Sequence, residues 1–340
     1  MRVTLAGVRS ATHLVHAGSY LRHLLRRTSG EVVVDYLGSG SFLGRDNVRP
    51  EHVTAFLPED PRLTVRSSDR AGDASGPGAG RTRQGGHHVL LSVGAPGIKP
   101  YLRLIAESRT RPEVVVVDEG IGTYGDWRTR RDAWRRQGGR EPWPTVRSWA
   151  VTCAGHVLTD LRWALYEQVG GTWRVVPEVA AGFADAPVAP TSAAGEARAV
   201  YLTQPWVELG LVTEDAFRGH LGQVAAACAD VGLAFAVRPH PAEAGGRYAA
   251  WPELARDLPA ELDPAVVGAQ VVLGTDSTAL LNLAAVQRRP ALRVTLPELH
   301  RLERGLGSEQ RSLLAAFLPP PIDARHRGGL TRALEAARGR

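Results

Sequence analysis

The chain is poor in cysteine and lysine and has no long apolar run. Each shortage limits the classes of protein to which the chain can belong. Two cysteines, Cys153 and Cys228, lie in unrelated apolar contexts without metal-ligand spacing. This scarcity argues against a disulfide framework and predicts a reducing compartment. No run of eighteen apolar residues occurs, so we expect no transmembrane segment. The first residues, 1–7, are too polar for a signal peptide and indicate a strand, which predicts a cytoplasmic protein.

Length and composition are those of a globular protein with two domains. The chain has 340 residues, of which 44% are hydrophobic and 22% are charged, which excludes a mainly disordered chain. Its net charge of +6 favours anionic partners. However, Lys99 is the single lysine, and the arginine, alanine and glycine content is typical of a GC-rich genome. The charge therefore carries limited weight, and it does not predict a nucleic-acid partner.

Apolar strand-like runs alternate with helical stretches in both halves of the chain. Continuous apolar strands separated by helices are typical of a parallel sheet covered on both faces. We predict strands at 3–6, 32–36, 89–93, 114–117, 199–203, 233–237, 271–273 and 291–294. We predict helices at 12–26, 100–108, 124–136, 214–231 and 277–286. The polar segment 67–86 predicts a mobile loop. The Ala- and Pro-rich segment 185–196 predicts a linker between an N-terminal domain, 1–184, and a C-terminal domain, 197–340.

Three short motifs lie where predicted buried strands give way to turns. The motifs are Asp118-Glu119-Gly120, His240-Pro241 and Ser277-Thr278. In α/β sheets the ligand crevice lies outside the carboxyl ends of the strands, so all three motifs are placed for binding. A carboxylate can take a proton from an acceptor hydroxyl, and a histidine with hydroxyls can hold a departing phosphate. Arg238 could add positive charge beside His240.

Each motif also has a structural interpretation. Acidic residues and glycine are common in turns after strands. A lone histidine before proline is typical of an exposed loop. Ser277 and Thr278 can simply cap the following helix, although a helix N-terminus is also a natural phosphate site. Asp276, at the same turn, carries a negative charge that would repel an anion.

Together the motifs resemble those of the bacterial sialyltransferases, including the α-2,8-polysialyltransferases that build capsules. Those families carry an acidic pair with glycine, then His-Pro, then Ser-Ser/Thr, in that order. The residues after the first motif, 121–124, and the segments 202–205 and 208–210 also resemble the family pattern. Segment 10–17 resembles its N-terminal signature, with Ala11 in place of proline and His16 in place of asparagine.

This resemblance implies a GT-B-type α/β fold, with two Rossmann-like domains facing each other across a cleft. It implies transfer of a sialic acid, or a related nonulosonic acid, from a CMP-activated donor to a glycan hydroxyl, with inversion and without metal or cofactor. Asp118 would be the base with Glu119 supporting it, and His240 would bind the donor phosphate. Donor contacts would come from Gly120, Pro241, Ser277 and Thr278. The resemblance also implies a function in capsule or surface polysaccharide synthesis, with the protein peripherally associated with the inner face of the membrane.

A series of arginines follows the first motif. On a helix, Arg128, Arg131 and Arg135 would share one face, with Trp127 and Trp134 near another. This pattern fits either a solvated helix face or a groove for an anionic acceptor glycan. His13 and His16 are spaced i, i+3, but no acidic or cysteine partner follows nearby, so a metal site is not predicted.

Two alternatives remain open on the sequence. Thr275-Asp276-Ser277-Thr278 also resembles a motif of the CDP-glycerol-type glycerophosphotransferases, which share His-Pro. Asp118-Glu119-Gly120 together with Thr203-Gln204-Pro205 favours the sialyltransferase interpretation. A non-catalytic polyanion-binding module on a degenerate transferase fold is the second alternative, and the intact motifs count against it.

Overall fold

The computed structural model describes residues 1–38, 48–67, 87–186 and 198–339. Its contacts divide the chain into two compact units. The first unit is formed by Met1–Arg131, Arg140–Val169 and Arg174–Pro187. The second is formed by Asp132–Gly139, Gly170–Trp173 and Val188–Arg340. Within the described ranges, no helix is both long and apolar enough to cross a membrane.

The first unit is built on a six-stranded parallel sheet with the order β3-β2-β1-β4-β5-β6. Its strands are β1 (Arg2–Ala6), β2 (Val32–Tyr36), β3 (Leu63–Ser67), β4 (His88–Val93), β5 (Glu113–Val117) and β6 (Leu161–Trp163). Its helices are α1 (Ala11–Arg27), α2 (Pro50–Phe56), α3 (Ile98–Ser108), α4 (Trp127–Arg136, which continues into the second unit), α5 (Trp143–Leu158) and α6 (Pro177–Ala184). A separate two-stranded sheet joins β7 (Tyr166–Val169) to β8 (Thr172–Val175).

The central strands of this sheet are apolar along their length because both of their faces are covered. Val114, Val115 and Val117 on β5 are fully buried, as expected for a strand inside a parallel sheet. Helix α1 begins where Ser10 accepts a hydrogen bond from the His13 amide, and this N-cap satisfies one otherwise unpaired N–H. The start of α1 and the turn after β5 therefore lie at the carboxyl edge of the sheet.

The second unit contains a five-stranded parallel sheet with the order β10-β9-β11-β12-β13. Its strands are β9 (Arg198–Leu202), β10 (Ala234–Arg238), β11 (Val271–Gly274), β12 (Ala291–Thr295) and β13 (Ile322–Asp323). Its helices are α7 (Glu214–Asp230), α8 (Pro264–Val267), α9 (Thr278–Ala285), α10 (His300–Arg304), α11 (Ser308–Phe317) and α12 (Arg327–Arg338). Its core joins Tyr201, Phe217, Leu273 and Leu330, all at most 1% exposed.

All eight predicted strands are present, and the two parallel sheets confirm the predicted α/β class with two Rossmann-like units. The helix predicted over 124–136 is present as α4 and begins three residues later, after a 3-10 turn at Ile121–Tyr124. Ser67, the first residue of the predicted mobile loop, ends β3, and the rest of that loop lies outside the described residues. The predicted linker lies mostly outside them as well; Asp185 forms the C-cap of α6.

Candidate functional site

Asp118, directly after β5, is buried and fully engaged by hydrogen bonds. The residue is only 1% exposed. Oδ1 accepts from the Gly120 amide at 2.8 Å. Oδ2 accepts from the Tyr124 hydroxyl at 2.7 Å and from the Leu165 amide at 3.0 Å. A carboxylate held by three donors ties the turn after β5 to the start of the β7 segment, which is a structural function.

Gly120 makes this turn possible. Its φ of 104° and ψ of −151° lie in a region that only glycine adopts readily. This conformation turns its N–H back onto Asp118. The position predicted to contact the donor therefore has a clear backbone function.

Glu119, in contrast, is exposed and lies against two glycines. A Cβ at Gly122 would lie 2.7 Å from Oε1 of Glu119, and a Cβ at Gly94 would overlap its Oε2. Thr123 Oγ1 accepts the Glu119 amide at 2.9 Å and fixes its backbone. The glycines thus leave a slot in which the carboxylate lies at the carboxyl edge of the sheet.

The charges around Glu119 tune its acidity. Burial among the surrounding protein atoms raises the pKa of the Glu119 carboxyl, and Asp118 adds to that rise, whereas Arg130 and Arg9 lower it. Glu119 is exposed as a residue, whereas its carboxyl lies close to enough protein atoms for its charged form to be disfavoured. A carboxyl with a raised pKa on an exposed residue suits general-base chemistry.

Two histidines of α1 lie in the same region. His13 Nδ1 accepts the Arg9 amide at 3.1 Å, so its proton is on Nε2. Burial lowers the pKa of His13 to about 3, helped by His16 and Arg9 and opposed by a hydrogen bond with the Glu119 backbone and by the charge of Asp118. His16 packs edge-on against Phe183 at 5.4 Å, and its buried Nδ1 has no hydrogen-bond partner among the described residues. Sequence reasoning considered this pair as metal ligands and as part of the N-terminal signature, but did not predict its place beside the acidic motif.

The arginines of α4 are arranged differently from the prediction. The guanidinium groups of Arg128 and Arg131 lie 5.4 and 5.7 Å from the centre of the Trp127 ring. Trp127 therefore lies with these arginines, and the prediction that it belongs to a different face is wrong. Arg128 and Arg135 are exposed, and Arg131 is half-buried. Cation–π stacking holds the first two guanidinium groups at the helix surface.

His240, two residues beyond β10, is a neutral hydrogen-bond donor. Its Nδ1 accepts the Ala242 amide at 3.1 Å, which leaves the proton on Nε2. Burial lowers the pKa of His240 to about 4, with Arg238 and Arg256 contributing and Glu208 opposing. Pro241 follows at an exposed position of the same turn. At neutral pH this imidazole can donate a hydrogen bond to an anion, but it is not an acid.

The charge of Arg238 acts on His240, as the sequence suggested, but its guanidinium is engaged by other groups. Arg238 is 4% exposed, its Nε lies 3.2 Å from Asp263 Oδ2, and its Nη2 donates to the Leu258 carbonyl at 2.6 Å. Both contacts lie within the second unit, so the guanidinium is paired there.

A buried carboxylate that sequence reasoning missed holds the His240 turn. Glu243 has no exposed surface, and its Oε2 accepts the His240 amide at 2.7 Å and the Thr203 hydroxyl. Its Oε1 accepts the Tyr248 hydroxyl at 2.6 Å. Burial raises the pKa of Glu243, against the lowering effect of these hydrogen bonds. The sequence signal that could have revealed this contact is the position of Glu243, three residues after His240.

The end of β9 connects the two predicted donor motifs. Strand β9 lies between β10 and β11. Thr203 Oγ1 accepts the His240 amide at 3.0 Å, and Gln204 Nε2 donates to the Asp276 carbonyl at 3.4 Å. The His-Pro and Ser-Thr turns are therefore linked through Thr203-Gln204 at one edge of the sheet.

The start of α9 combines a cap with a neutralised acid. Ser277 is the N-cap and accepts the Leu280 amide at 3.0 Å, and Thr278 is the first helical residue. Asp276 Oδ1 accepts from Arg293 Nε at 2.7 Å, so its charge is paired and no longer opposes an anion. The Thr275 hydroxyl, in a residue 7% exposed, is buried without a hydrogen-bond partner in the described structure.

The structure thus gives each unit one set of candidate residues. The first unit holds Asp118, Glu119, Gly120, His13 and the beginning of the α4 arginine series. The second holds His240, Pro241, Ser277 and Thr278, joined through β9. Among the described residues, no group of three His, Cys, Asp or Glu side chains is arranged to hold a metal ion.

Comparison with known proteins identifies the fold. No family model and no curated protein matches the chain. Among solved structures, UDP-GlcNAc 2-epimerase from Methanocaldococcus jannaschii is similar with a TM-score of 0.53 at 10% identity, over 100% of this chain and 93% of that one. E. coli heptosyltransferase WaaC with ADP gives 0.42 at 14% identity, over 99% and 100%. Spinosyn rhamnosyltransferase SpnG gives 0.47 at 15%, over 100% and 92%.

These identities are low, so the likeness concerns the fold alone. It agrees with the predicted GT-B-type class of two Rossmann-like units. The similar structures include glycosyltransferases, and none of those cited is a sialyltransferase. The substrate must be argued from the site residues.

Proposed function

We propose that this protein is an inverting glycosyltransferase that moves a sialic acid or related nonulosonic acid from a CMP-activated donor to a glycan hydroxyl. The observation that supports it best is the arrangement at the ends of β9, β10 and β11. There, the Nε2–H of His240, the first turn of α9 and the unpartnered Thr275 hydroxyl belong to loops that Thr203-Gln204 links. Such a set of neutral donors suits a phosphate.

The donor phosphate would bind at the start of α9. The first N–H groups of a helix have no partner inside the helix, and they carry the positive end of its dipole. Ser277 fixes this turn, and Arg293 cancels the charge of Asp276 that would repel a phosphate. His240 would add a hydrogen bond from Nε2, as a neutral donor because its pKa is lowered to about 4.

Glu119 fits the base better than Asp118 does. Asp118 is 1% exposed and both of its oxygens already accept hydrogen bonds, so an acceptor hydroxyl could reach it only by displacing them. Glu119 is exposed and its pKa is raised. We therefore assign proton removal to Glu119 and the shaping of the turn to Asp118, which reverses the order that the family resemblance implies.

The chemistry then follows as one displacement. The acceptor oxygen forms a bond to the anomeric carbon while Glu119 takes its proton, and the bond from that carbon to the CMP phosphate breaks. CMP departs with the electron pair, and the donors at α9 and His240 stabilise the charge that develops on the phosphate. Because hydrogen-bond donors supply this stabilisation, the proposed mechanism requires no divalent ion or organic cofactor.

The arginines of α4 would contact the acceptor. Arg128 and Arg131 are held against Trp127 at the helix surface, and Arg135 is exposed. A surface of guanidinium groups suits an anionic glycan, and binding to it should weaken with salt. This part of the proposal predicts that the acceptor is acidic.

A panel of nucleotide donors tests the proposal. Thermal stabilisation and nucleotide release would be measured with CMP-N-acetylneuraminic acid, CDP-glycerol and UDP-N-acetylglucosamine. The proposal predicts stabilisation and CMP release with the first compound alone. Turnover of CDP-glycerol would favour a glycerophosphotransferase, and binding of acidic glycan without turnover of any donor would favour a polyanion-binding module.

A further inference from the structure

Helix α5 exposes two tryptophans and two valines to solvent. Trp143 is 74% exposed, Trp149 64%, Val146 51% and Val157 74%. Large apolar side chains are rarely this accessible, and a cluster of them marks a surface that is covered by something. This set of four residues is called the α5 stripe below.

The α5 stripe is one continuous face of the helix. At 100° per residue, positions 143, 146, 149 and 157 fall within an arc of about 120°. The opposite side of α5 is occupied by the protein: Pro144 and Ser148 are buried, and Leu158 packs against the core cluster of Tyr101 and Leu104. The helix is therefore apolar both toward the sheet and toward solvent, which an ordinary surface helix is not.

The charge next to the stripe is mainly positive. Arg140, three residues before α5, and Arg147, in its second turn, are exposed. Helix α5 itself contains no Asp or Glu, and Glu141 is the one acidic residue of segment 140–158. Helix α4 contacts α5 where Arg130 Nη1 donates to Thr152 Oγ1 at 3.3 Å. A face of tryptophan and valine flanked by arginines is complementary to a bilayer surface that carries anionic headgroups.

We propose that the α5 stripe docks the protein on an anionic membrane, with Trp143 and Trp149 in the headgroup boundary and Arg140 and Arg147 against lipid phosphates. A second copy of the chain fits less well as the occupant. Two-fold pairing through this face would bring Arg140 and Arg147 of both copies together, with Glu141 as the one acidic residue of segment 140–158 to offset them. Tryptophan, with an apolar ring and a polar N–H, is the side chain enriched at membrane interfaces.

Vesicle flotation tests this proposal with the full chain. Vesicles of phosphatidylcholine alone are compared with vesicles that also contain phosphatidylglycerol. The wild type should float with the mixed vesicles. Trp143→Ser combined with Trp149→Ser should weaken that binding about tenfold or more, because the apolar anchor is lost. Arg140→Gln and Arg147→Gln should each weaken it roughly fivefold.

The matched control is Val65→Ser, since Val65 is also apolar and is 38% exposed. It lies on β3, at the edge of the sheet opposite β6, the strand that follows α5. The Val65 variant should float as the wild type does, and every variant should keep the wild-type circular dichroism spectrum. Failure of the wild type to float, or undiminished flotation of the double tryptophan variant, would overturn the proposal. The proposal would also be overturned if the protein did not float but formed a concentration-dependent dimer that the tryptophan substitutions abolish. In that case a second copy of the chain would cover the stripe.

Discussion

The carboxylate of Glu119 occupies the space that a side chain at Gly94 would need. Gly94 has a φ of 73°, and a Cβ there would overlap Oε2 of Glu119. Gly94 follows β4 and Glu119 follows β5, which are neighbours in the sheet. The loop after β4 thus sets the position of the proposed base, although it contributes no polar side chain to it.

Replacing Gly94 should therefore impair transfer by moving Glu119. Gly94→Ala adds strain at a positive φ and forces the carboxylate out of its slot, so we expect transfer to fall roughly tenfold or more, since small misplacements of a catalytic group are costly. Gly138→Ala is the matched control, because Gly138 has a φ of 90° and a Cβ there would meet no described atom within 4 Å. Equal losses in both variants would assign the effect to backbone strain.

The pH dependence of transfer should report on Glu119 through Arg130. Arg130 lowers the pKa of Glu119, so Arg130→Gln should raise that pKa further. A base works only when deprotonated, and hence the acid limb of the transfer rate should move to higher pH. Arg128→Gln, on the same helix and exposed, should leave the limb in place. An unchanged profile in the Arg130 variant would remove Glu119 from the rate-determining ionisation.

Asp118 should matter for stability through its hydrogen bonds. Tyr124→Phe removes the hydroxyl that donates to Asp118 and accepts the Tyr166 amide at 3.0 Å. We expect a loss of about 1–3 kcal/mol in the free energy of unfolding, measured by denaturant titration. Tyr20→Phe is the control, since Tyr20 is 3% exposed and packs through its ring against Trp163, away from Asp118. Similar losses in the two variants would contradict the structural function of Asp118.

Arg293 should be required for nucleotide binding without touching the nucleotide. Arg293→Gln leaves the Asp276 charge unpaired beside the start of α9, and we expect the Kd for CMP to rise roughly tenfold through like-charge repulsion. Adding Asp276→Asn should restore much of the affinity. Arg325→Gln, which breaks an exposed pair with Asp323, should have no effect. A double variant as weak as the single one would show that the pair acts through folding alone.

The sequence was sufficient to locate the sheets and the strand ends. Continuous apolar runs such as 114–117 identify buried strands, and the motifs follow them directly. Strand β3 was missed because it is an edge strand whose residues are mostly exposed and carry no apolar run. Strand β6 has only three residues, too few for a pattern.

The functions of individual side chains were less predictable because their partners are distant in the chain. The two adjacent acids look equivalent in sequence, yet Asp118 is occupied by Tyr124 and Leu165 while Glu119 is not. Likewise, Arg238 is neutralised by Asp263. Local patterns place a residue at a strand end, whereas tertiary contacts decide whether its charge is available.

The rate of CMP release from CMP-N-acetylneuraminic acid in the presence of an acidic glycan acceptor tests the central claim most directly. It would be measured for the wild type and for Glu119→Gln, with the Kd for CMP determined in parallel. We predict turnover by the wild type, and a loss of about a hundredfold in the variant with unchanged CMP affinity, since general-base catalysis contributes on this scale. No release by the wild type, or an equal rate in the variant, would contradict the account.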